Sequence, residues 1–162
     1  MIKAIMAIDD KGGVSKGGSM PWPKNSNDLQ WFKKNTLSQI VVMGSKTWED
    51  PFMPTPLKNR TNVLITKKNK SYYPGADFYI KGDIVEEINI LEKDNLDKDI
   101  FIIGGPEIIK QCFDHLNEFY ITRIYGNFNC EKFIDLGQIE KKMKLSEKID
   151  SDETCHFEIW KK

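Results

Sequence analysis

One carboxylate on an otherwise apolar helix face is the first candidate for chemistry in this chain. Asp28 begins an amphipathic run that reaches about Asn35, and residues 25–27 before it are typical helix N-cap residues. Phe32 shares the face with Asp28, and Leu29 lies beside them. Burying an unpaired carboxylate costs on the order of several kcal/mol. Asp28 therefore either faces a pocket for a cationic or multi-donor ligand, or is only a first-turn acid favoured by the helix dipole.

Two glycine turns at predicted helix starts form a second candidate site. Gly44-Ser45-Lys46-Thr47 follows a buried strand, and Gly104-Gly105 follows another and opens a helix at Pro106 and Glu107. Ligands of open α/β sheets bind beyond the carboxyl ends of the strands, and amides at helix N-termini suit a pyrophosphate. Thr66-Lys67-Lys68 ends a third strand and adds cations for a further phosphate. Because Gly-x-Gly-x-x-Gly is absent, the usual dinucleotide-binding fold is disfavoured.

A glycine-rich segment joins the first predicted strand to the Asp28 helix. Residues 9–19 contain four glycines and lead into Met20-Pro21-Trp22, which predicts a long flexible loop. Such a loop is either a lid over a pocket or a plain surface loop. Residues 12–19 nearly match the phosphate-cradling pattern G-x-x-x-x-G-K-[ST]. We reject a nucleotide-kinase loop, because Gly18 stands in place of the lysine and Pro21 prevents a helix from starting there.

The elements that must position these residues alternate between strand and helix. The predicted buried strands cover residues 2–8, 39–43, 60–66, 77–80, 99–103 and 118–125, and the predicted helices cover 28–35, 44–48, 84–91 and a segment from 106. This alternation is typical of an α/β domain with a mostly parallel sheet. A charged stretch, residues 140–153, precedes a last strand at 154–160, which we expect to pair antiparallel at the sheet edge.

Composition narrows the function classes. A chain of 162 residues suits one domain spanning residues 1–162, and a formal net charge of +0 gives no reason to expect a nucleic-acid partner. No apolar run is long enough for a membrane span, and we expect no signal sequence, because the apolar run at residues 1–8 is too short and lacks a cleavage site. The three separated cysteines indicate reduced thiols, and neither histidine has metal-ligand spacing to them. We expect a cytoplasmic monomer with no metal site.

Further motifs occur along the whole chain. They are Met20-Pro21-Trp22, Asp28-Leu29-x-Trp31-Phe32-Lys33-x-x-Thr36, Val42-Met43-Gly44-x-x-Thr47-Trp48-Glu49, Arg60-x-Asn62, Ile102-Ile103-Gly104-Gly105 and Tyr120-Ile121-Thr122. In order and spacing they resemble the dihydrofolate reductase family essentially from end to end. The resemblance implies an eight-stranded, mostly parallel sheet with an antiparallel C-terminal edge strand and about four helices. It also implies an NADPH-dependent oxidoreductase that reduces 7,8-dihydrofolate to 5,6,7,8-tetrahydrofolate by hydride transfer, for one-carbon metabolism and thymidylate synthesis.

The resemblance centres the substrate pocket on Asp28. Its carboxylate would hold the pterin amino group and ring N–H as a fork, Thr122 would hydrogen-bond it, and Trp22 would help to place an ordered water. Because Asp28 grips the far edge of the ring, we expect it to raise the proton affinity of bound substrate while the proton arrives through water. Arg60 would clamp the α-carboxylate of the glutamyl tail. The other substrate contacts implied are Ile5, Ala7, Leu29, Phe32, Lys33, Phe52, Leu57 and Ile103.

The resemblance places NADPH along the glycine turns and under a lid that includes Met20 and Val14. The cofactor contacts implied are Ala7, Val14, Met20, Gly44, Ser45, Lys46, Thr47, Ile65, Thr66, Lys67, Lys81, Gly104, Gly105, Pro106, Glu107 and Ile108. Many family members carry arginine after the first glycine, where this chain has Ser45-Lys46. Lys46, Lys67 or Lys81 could hold the 2′-phosphate instead, and Glu107 must point away from it. Cys130-Glu131 falls where an acidic loop position often supports the lid.

Two alternative functions use the same features. One is a reductase of the same fold that acts on a pyrimidine intermediate of riboflavin synthesis. Arg60 and the face formed by Asp28 and Phe32 argue against it, because they fit a pterin with a glutamyl tail. The other is a non-catalytic folate- or NADPH-binding protein that kept the pocket. Binding and turnover use the same residues, so a turnover assay is needed to separate the non-catalytic binding protein from the reductase.

Overall fold

The computed structural model describes residues 1–162 and contains ten strands and five α-helices. The strands are β1 (Ile2–Ile8), β2 (Gly13–Ser15), β3 (Ile40–Gly44), β4 (Thr61–Ile65), β5 (Phe78–Ile80), β6 (Ile100–Gly104), β7 (Glu118–Ile124), β8 (Lys132–Phe133), β9 (Lys144–Asp150) and β10 (Cys155–Lys161). The helices are α1 (Ser26–Thr36), α2 (Ser45–Glu49), α3 (Ile84–Asp94), α4 (Pro106–Cys112) and α5 (Leu136–Lys142). Each of the four predicted helices is present, and α5 is additional.

Eight of the strands form one twisted sheet in the order β5-β4-β3-β6-β1-β7-β10-β9. The six strands from β5 to β7 run parallel, and β10 and β9 are antiparallel to their neighbours. Apolar residues cover both faces of the central strands, as expected for a parallel sheet between helices. Trp31 of α1 packs on one face, whereas Ile88 of α3, Ile109 of α4 and Ile139 of α5 pack on the other. The predicted mostly parallel α/β sheet is confirmed.

The C-terminal strand pairs antiparallel, as predicted, but a further strand lies outside it. β10 sits between β7 and β9, and β9 occupies half of the stretch that the sequence presents only as charged. All seven residues of β9 are exposed, so it has no alternation of buried and solvated positions to reveal it. Its lysines and acids suit an open sheet edge, which charged side chains protect from unwanted pairing.

The segment between β1 and α1 is more ordered than the predicted flexible loop. β2 within it pairs antiparallel with β8. Asp9 is buried and accepts hydrogen bonds from the backbone amides of Lys11 (2.9 Å), Gly13 (2.8 Å) and Phe128 (3.1 Å). These amides hold the pKa of Asp9 below its usual value even though burial acts in the opposite direction. None of the helices is long and apolar enough to cross a membrane.

Candidate active site

Asp28 lies in the first turn of α1 and points at the central sheet. Asn25 caps the helix, its Oδ1 accepting a hydrogen bond from the Asp28 amide at 3.1 Å. The Thr122 hydroxyl on β7 donates to Asp28 Oδ1 at 2.7 Å. Thr122 is almost fully buried and pairs in register with Ala7 of β1, so the carboxylate reaches the sheet where β1 and β7 meet. The predicted pairing of Asp28 with Thr122 is therefore present.

The environment of Asp28 disfavours its ionised form. Burial raises the pKa of this carboxyl, and the hydrogen bond from Thr122 opposes the rise without cancelling it. Oδ1 accepts from Thr122, whereas Oδ2 has no protein donor. A ligand that presents N–H groups to this carboxylate would supply hydrogen bonds that the protein withholds. This favours the pocket interpretation of Asp28 over that of a simple first-turn acid.

Apolar side chains predicted to wall the substrate lie on the same side of the sheet. Ile5, Leu57 and Ile103 are buried in one cluster, and Phe32 packs partly buried against it. The indole of Trp22 is buried and meets the ring of Phe128 edge to face, with centroids 5.8 Å apart. The exposed members of the predicted set are Leu29 (41% exposed) and Phe52 (75% exposed). Their exposed positions suit a rim better than an inner wall.

Trp31 anchors α1 to the sheet, a role that its place in the motif around Asp28 did not predict. Its indole stacks on Phe157 of β10 with a centroid distance of 4.4 Å and an interplanar angle of 5°. Phe157 pairs in register with Thr122, so the strand residue under Trp31 neighbours the partner of Asp28. The apolar type of Trp31 near Asp28 was a visible signal, but only the fold shows which aromatic residue meets the core.

Arg60 lies near the C-terminal end of the same helix. Its Nε donates to the carbonyl of Lys58 at 2.9 Å, one Nη donates to Thr36 Oγ1 at 3.2 Å, and the guanidinium lies 6.0 Å from the Phe32 ring centroid. These contacts leave other guanidinium donors available for a carboxylate. Lys33, also on α1, is exposed. Asp28 lies at the start of α1, and the Arg60 side chain lies beside its last residue, Thr36.

The two glycine turns lie side by side at the carboxyl ends of β3 and β6, where Met43 pairs with Gly104. Gly44 caps α2 and Gly105 caps α4, and neither helix start receives a side-chain hydrogen bond. Gly104 has a φ of 140°, and a Cβ there would lie 2.9 Å from Thr47 Oγ1. A Cβ on Gly105 would meet nothing within 4 Å, so its backbone is open to a ligand. Uncapped amides and open backbone fit a pyrophosphate.

Three of the predicted phosphate-binding lysines gather beyond neighbouring strands. Lys46 is on α2 after β3, Lys67 follows β4, and Lys81 follows β5, and all three are exposed. The Thr66 amide donates to the Ile80 carbonyl at 3.0 Å, which holds the ends of β4 and β5 together. Glu107 is exposed on α4. The charges of this edge therefore suit an anionic cofactor.

The glycine-rich segment is held from outside by the chain around β8. Glu131 Oε1 accepts from the Gly17 amide at 2.6 Å, as expected for an acid that supports a lid. At the end of the segment, the Ser19 hydroxyl donates to Asp50 Oδ1 at 3.2 Å. Met20 is partly buried and packs against the cluster that contains Ile5 and Ile103. The Val14 side chain is buried in the cluster on the other face of the sheet. In this conformation Val14 offers a ligand only its backbone.

Comparison with known proteins gives consistent matches. Residues 1–161 match the family described as dihydrofolate reductase. The dihydrofolate reductase of Bos taurus is 31% identical over 159 residues, covering 90% of this chain and 84% of the bovine protein. That of Mycoplasma pneumoniae is 29% identical over 150 residues, covering 90% and 91%. A solved structure, dihydrofolate reductase from Enterococcus faecalis complexed with NADP(H) and RAB-propyl, is 26% identical with a TM-score of 0.82, covering 99% of this chain and 95% of that one.

Proposed function

This chain belongs to the dihydrofolate reductase family, and on that premise we propose which of its residues carry the reaction. The protein is an NADPH-dependent oxidoreductase that reduces 7,8-dihydrofolate to 5,6,7,8-tetrahydrofolate, a step in one-carbon metabolism. The observation that carries the residue assignment is the half-buried carboxylate of Asp28, which is bonded to Thr122 through one oxygen and free at the other.

We assign substrate binding to the face of the sheet that α1 covers. Asp28 accepts two N–H groups of the pterin as a fork, the strongest geometry a carboxylate offers to such a donor pair. Ile5, Ala7, Phe32, Leu57 and Ile103 line the rings. At the rim, Leu29, Lys33 and Phe52 meet the benzoyl-glutamate part. Arg60 binds the α-carboxylate with the donors that Lys58 and Thr36 do not use.

Asp28 also assists protonation of the substrate at N5. While it holds the amino edge of the ring, it is on the far side from N5 and does not deliver the proton itself. Its negative charge, in a site that excludes most water, raises the proton affinity of the ring. Trp22 holds the water through which the proton arrives, and Thr122 keeps the carboxylate in one orientation.

NADPH supplies the hydride, and the residues at the carboxyl ends of β3 to β6 hold it. Backbone amides of Gly44-Ser45-Lys46-Thr47 and Gly104-Gly105 receive the pyrophosphate, with Pro106, Glu107 and Ile108 continuing that wall. Ile65 and Thr66 line the adenosine part, and Lys46, Lys67 and Lys81 neutralise the 2′-phosphate. Ala7, Met20 and the backbone of Val14 face the nicotinamide, and the segment that contains the last two closes as a lid.

We propose that the protein works as a single-domain monomer in the cytoplasm, without nucleic-acid or membrane partners. The net charge of +0 supports the absence of a polyanion partner, and three free cysteines suit a reducing compartment. The Asp28 pocket should also accept a protonated diaminopyrimidine, because two N–H donors on such a ring match the carboxylate. That would make the enzyme an antifolate target.

NADPH oxidation with dihydrofolate, compared between the natural protein and Asp28→Ala, tests this function. We expect kcat/KM to fall at least about 30-fold in the variant, because losing one partner of a buried charged hydrogen-bond pair costs about 2–5 kcal/mol. Repeating the assay with NADH should give a lower kcat/KM if the three lysines hold the 2′-phosphate. Binding of both ligands without turnover would instead identify a non-catalytic binding protein.

A further inference from the structure

The C-terminal hairpin, formed by β9, β10 and the turn at residues 151–154, contacts α1 at two levels on either side of Asp28. Trp31 stacks on Phe157 of β10 one helical turn after Asp28. Before Asp28, the Asn25 side chain donates through Nδ2 to Thr154 Oγ1 at 2.9 Å. Thr122, the partner of Asp28, pairs with Phe157 in the sheet. The catalytic carboxylate is therefore bracketed by contacts to one hairpin.

A continuous chain of hydrogen bonds links the turn to Asp28. Asn25 Oδ1 accepts from the Asp28 amide at 3.1 Å while its Nδ2 donates to Thr154. The Thr154 hydroxyl donates to Asp152 Oδ1 at 2.6 Å, and Asp152 Oδ2 accepts from Asn27 Nδ2 at 2.8 Å. The chain thus starts at the Asp28 amide and returns to α1 at the preceding residue. We call these four side chains, Asn25, Asn27, Asp152 and Thr154, the turn clamp.

The turn clamp is itself anchored to the sheet. The Asp152 carboxylate also accepts from the backbone amides of Thr154 and Cys155, at 2.8 and 3.2 Å. The Tyr125 amide, just beyond β7, donates to the Thr154 carbonyl at 2.9 Å. Hydrogen bonds from Thr154 lower the pKa of Asp152, so it remains an ionised acceptor at neutral pH. The turn can therefore transmit the position of the strands to the start of the helix.

Helix capping alone does not account for these contacts. The first turn of a helix is satisfied once a side chain accepts from one of its free amides, and Asn25 Oδ1 already does this. Thr154 and Asp152 accept hydrogen bonds from the Nδ2 groups of Asn25 and Asn27, so they take no part in the cap that Asn25 Oδ1 makes. They fix the direction in which the helix start approaches Thr122. Shifts on the order of 1 Å in a substrate-orienting group can cost large factors in rate.

We propose that Asp152 and Thr154 of the turn clamp are positioning residues that hold the start of α1 so that Asp28 meets both Thr122 and the substrate. This inference rests on the proposed role of Asp28 in binding dihydrofolate. Because Thr154 is exposed, losing the hydrogen bonds of its hydroxyl should affect the free energy of unfolding only slightly. The effect should appear in dihydrofolate binding and not in NADPH binding, since the residues assigned to the cofactor's phosphates lie at the carboxyl ends of β3 to β6, several strands away from the hairpin.

The test compares Thr154→Val, which removes the hydroxyl at nearly constant shape, with Thr154→Ser, which restores it. We expect the KM for dihydrofolate to rise about fivefold in Thr154→Val and in Asp152→Ala, and to return within about twofold of the natural value in Thr154→Ser. The KM for NADPH should stay unchanged in all three variants, and the Tm should stay unchanged in Thr154→Val and Thr154→Ser. Asp152→Ala should also lower the Tm, because it removes the acceptor of the Thr154 and Cys155 amides. Glu153→Ala, which removes an exposed acid of the same turn outside the clamp, is the matched control and should behave as the natural protein.

Two outcomes would overturn the proposal. In one, Thr154→Val and Asp152→Ala leave the KM for dihydrofolate unchanged. In the other, both KM values and the Tm of Thr154→Val change together, as general destabilisation of the hairpin would produce. Asp28→Ala is measured in parallel to separate the two levels of the argument. A strong effect of Asp28→Ala without an effect at Thr154 removes only the clamp, whereas no effect at Asp28 removes the proposed binding role itself.

Discussion

The environment of Asp28 disfavours its ionised form but suits the binding of a ligand that donates hydrogen bonds. Burial raises the pKa of its carboxyl, and only Thr122 donates to it, so the free protein holds an acid that is incompletely compensated. A pterin that donates two N–H groups would relieve this. Functional sites often keep such locally unfavourable groups, because the binding free energy then comes from satisfying them. The residue type and its helix position were visible in the sequence, but its depth and its hydrogen bond to Thr122 required the fold.

We expect Asp28→Asn to stabilise the free protein at neutral pH. The pKa of Asp28 is higher in the folded than in the unfolded protein, so its stabilising contribution is complete below the unfolded pKa and is lost as pH rises through the folded pKa. Asparagine removes the charge and still accepts from Thr122. Thermal unfolding should show a higher Tm at pH 7, by about 2–4 °C for each kcal/mol relieved.

This gain should shrink as the pH is lowered towards the unfolded pKa of an aspartate, where the natural protein also carries a neutral side chain at this position. Glu153→Gln, at an exposed acid, is the control and should shift the Tm little at any pH. A Tm gain in Asp28→Asn that is the same at all pH values, or a loss at pH 7, would contradict this account of the site.

Among the elements, the segment between β1 and α1 differs most from its sequence-based prediction. Its glycines suggested flexibility, yet β2 pairs with β8, a strand more than one hundred residues later in the chain. Local sequence cannot reveal a partner at that separation, and β8 is too short to give a periodic signal. The acid at Glu131 was identified by resemblance, and its bond to Gly17 gives that position a physical role.

Glu131→Ala should loosen the segment around Gly17 specifically. With the 2.6 Å hydrogen bond removed, we expect amide exchange at Gly17 to quicken about tenfold, since one charged acceptor contributes about 1.5 kcal/mol or more. Exchange at Gly13, whose amide is held by Asp9, serves as the internal control and should not change. Equal acceleration at both amides would indicate general unfolding of the segment, and no change at Gly17 would remove its role for Glu131.

Across the whole molecule, strand order gathers residues that are distant in sequence. The neighbours β5, β4, β3 and β6 bring Lys81, Lys67, Lys46 and the Gly104-Gly105 turn to one edge of the sheet. The apolar runs of the central strands predicted the strands and their mostly parallel sheet, because strands buried on both faces leave a clear signal, but they did not predict the strand order. The same reasoning missed β9, whose residues are all exposed, and the clamp at Asp152 and Thr154, which depends on where the hairpin turn lies.

The central claim is that the charge of Asp28 promotes protonation and hydride transfer as well as substrate binding. Single-turnover hydride transfer with saturating dihydrofolate and NADPH, compared near neutral pH between the natural protein and Asp28→Asn, tests it most directly, because saturation removes differences in binding. The account predicts that the variant transfers hydride at least about 100-fold more slowly, the scale of losing one electrostatic group from a site that excludes water. A variant that keeps most of the natural rate would contradict the claim and leave Asp28 with a binding role alone.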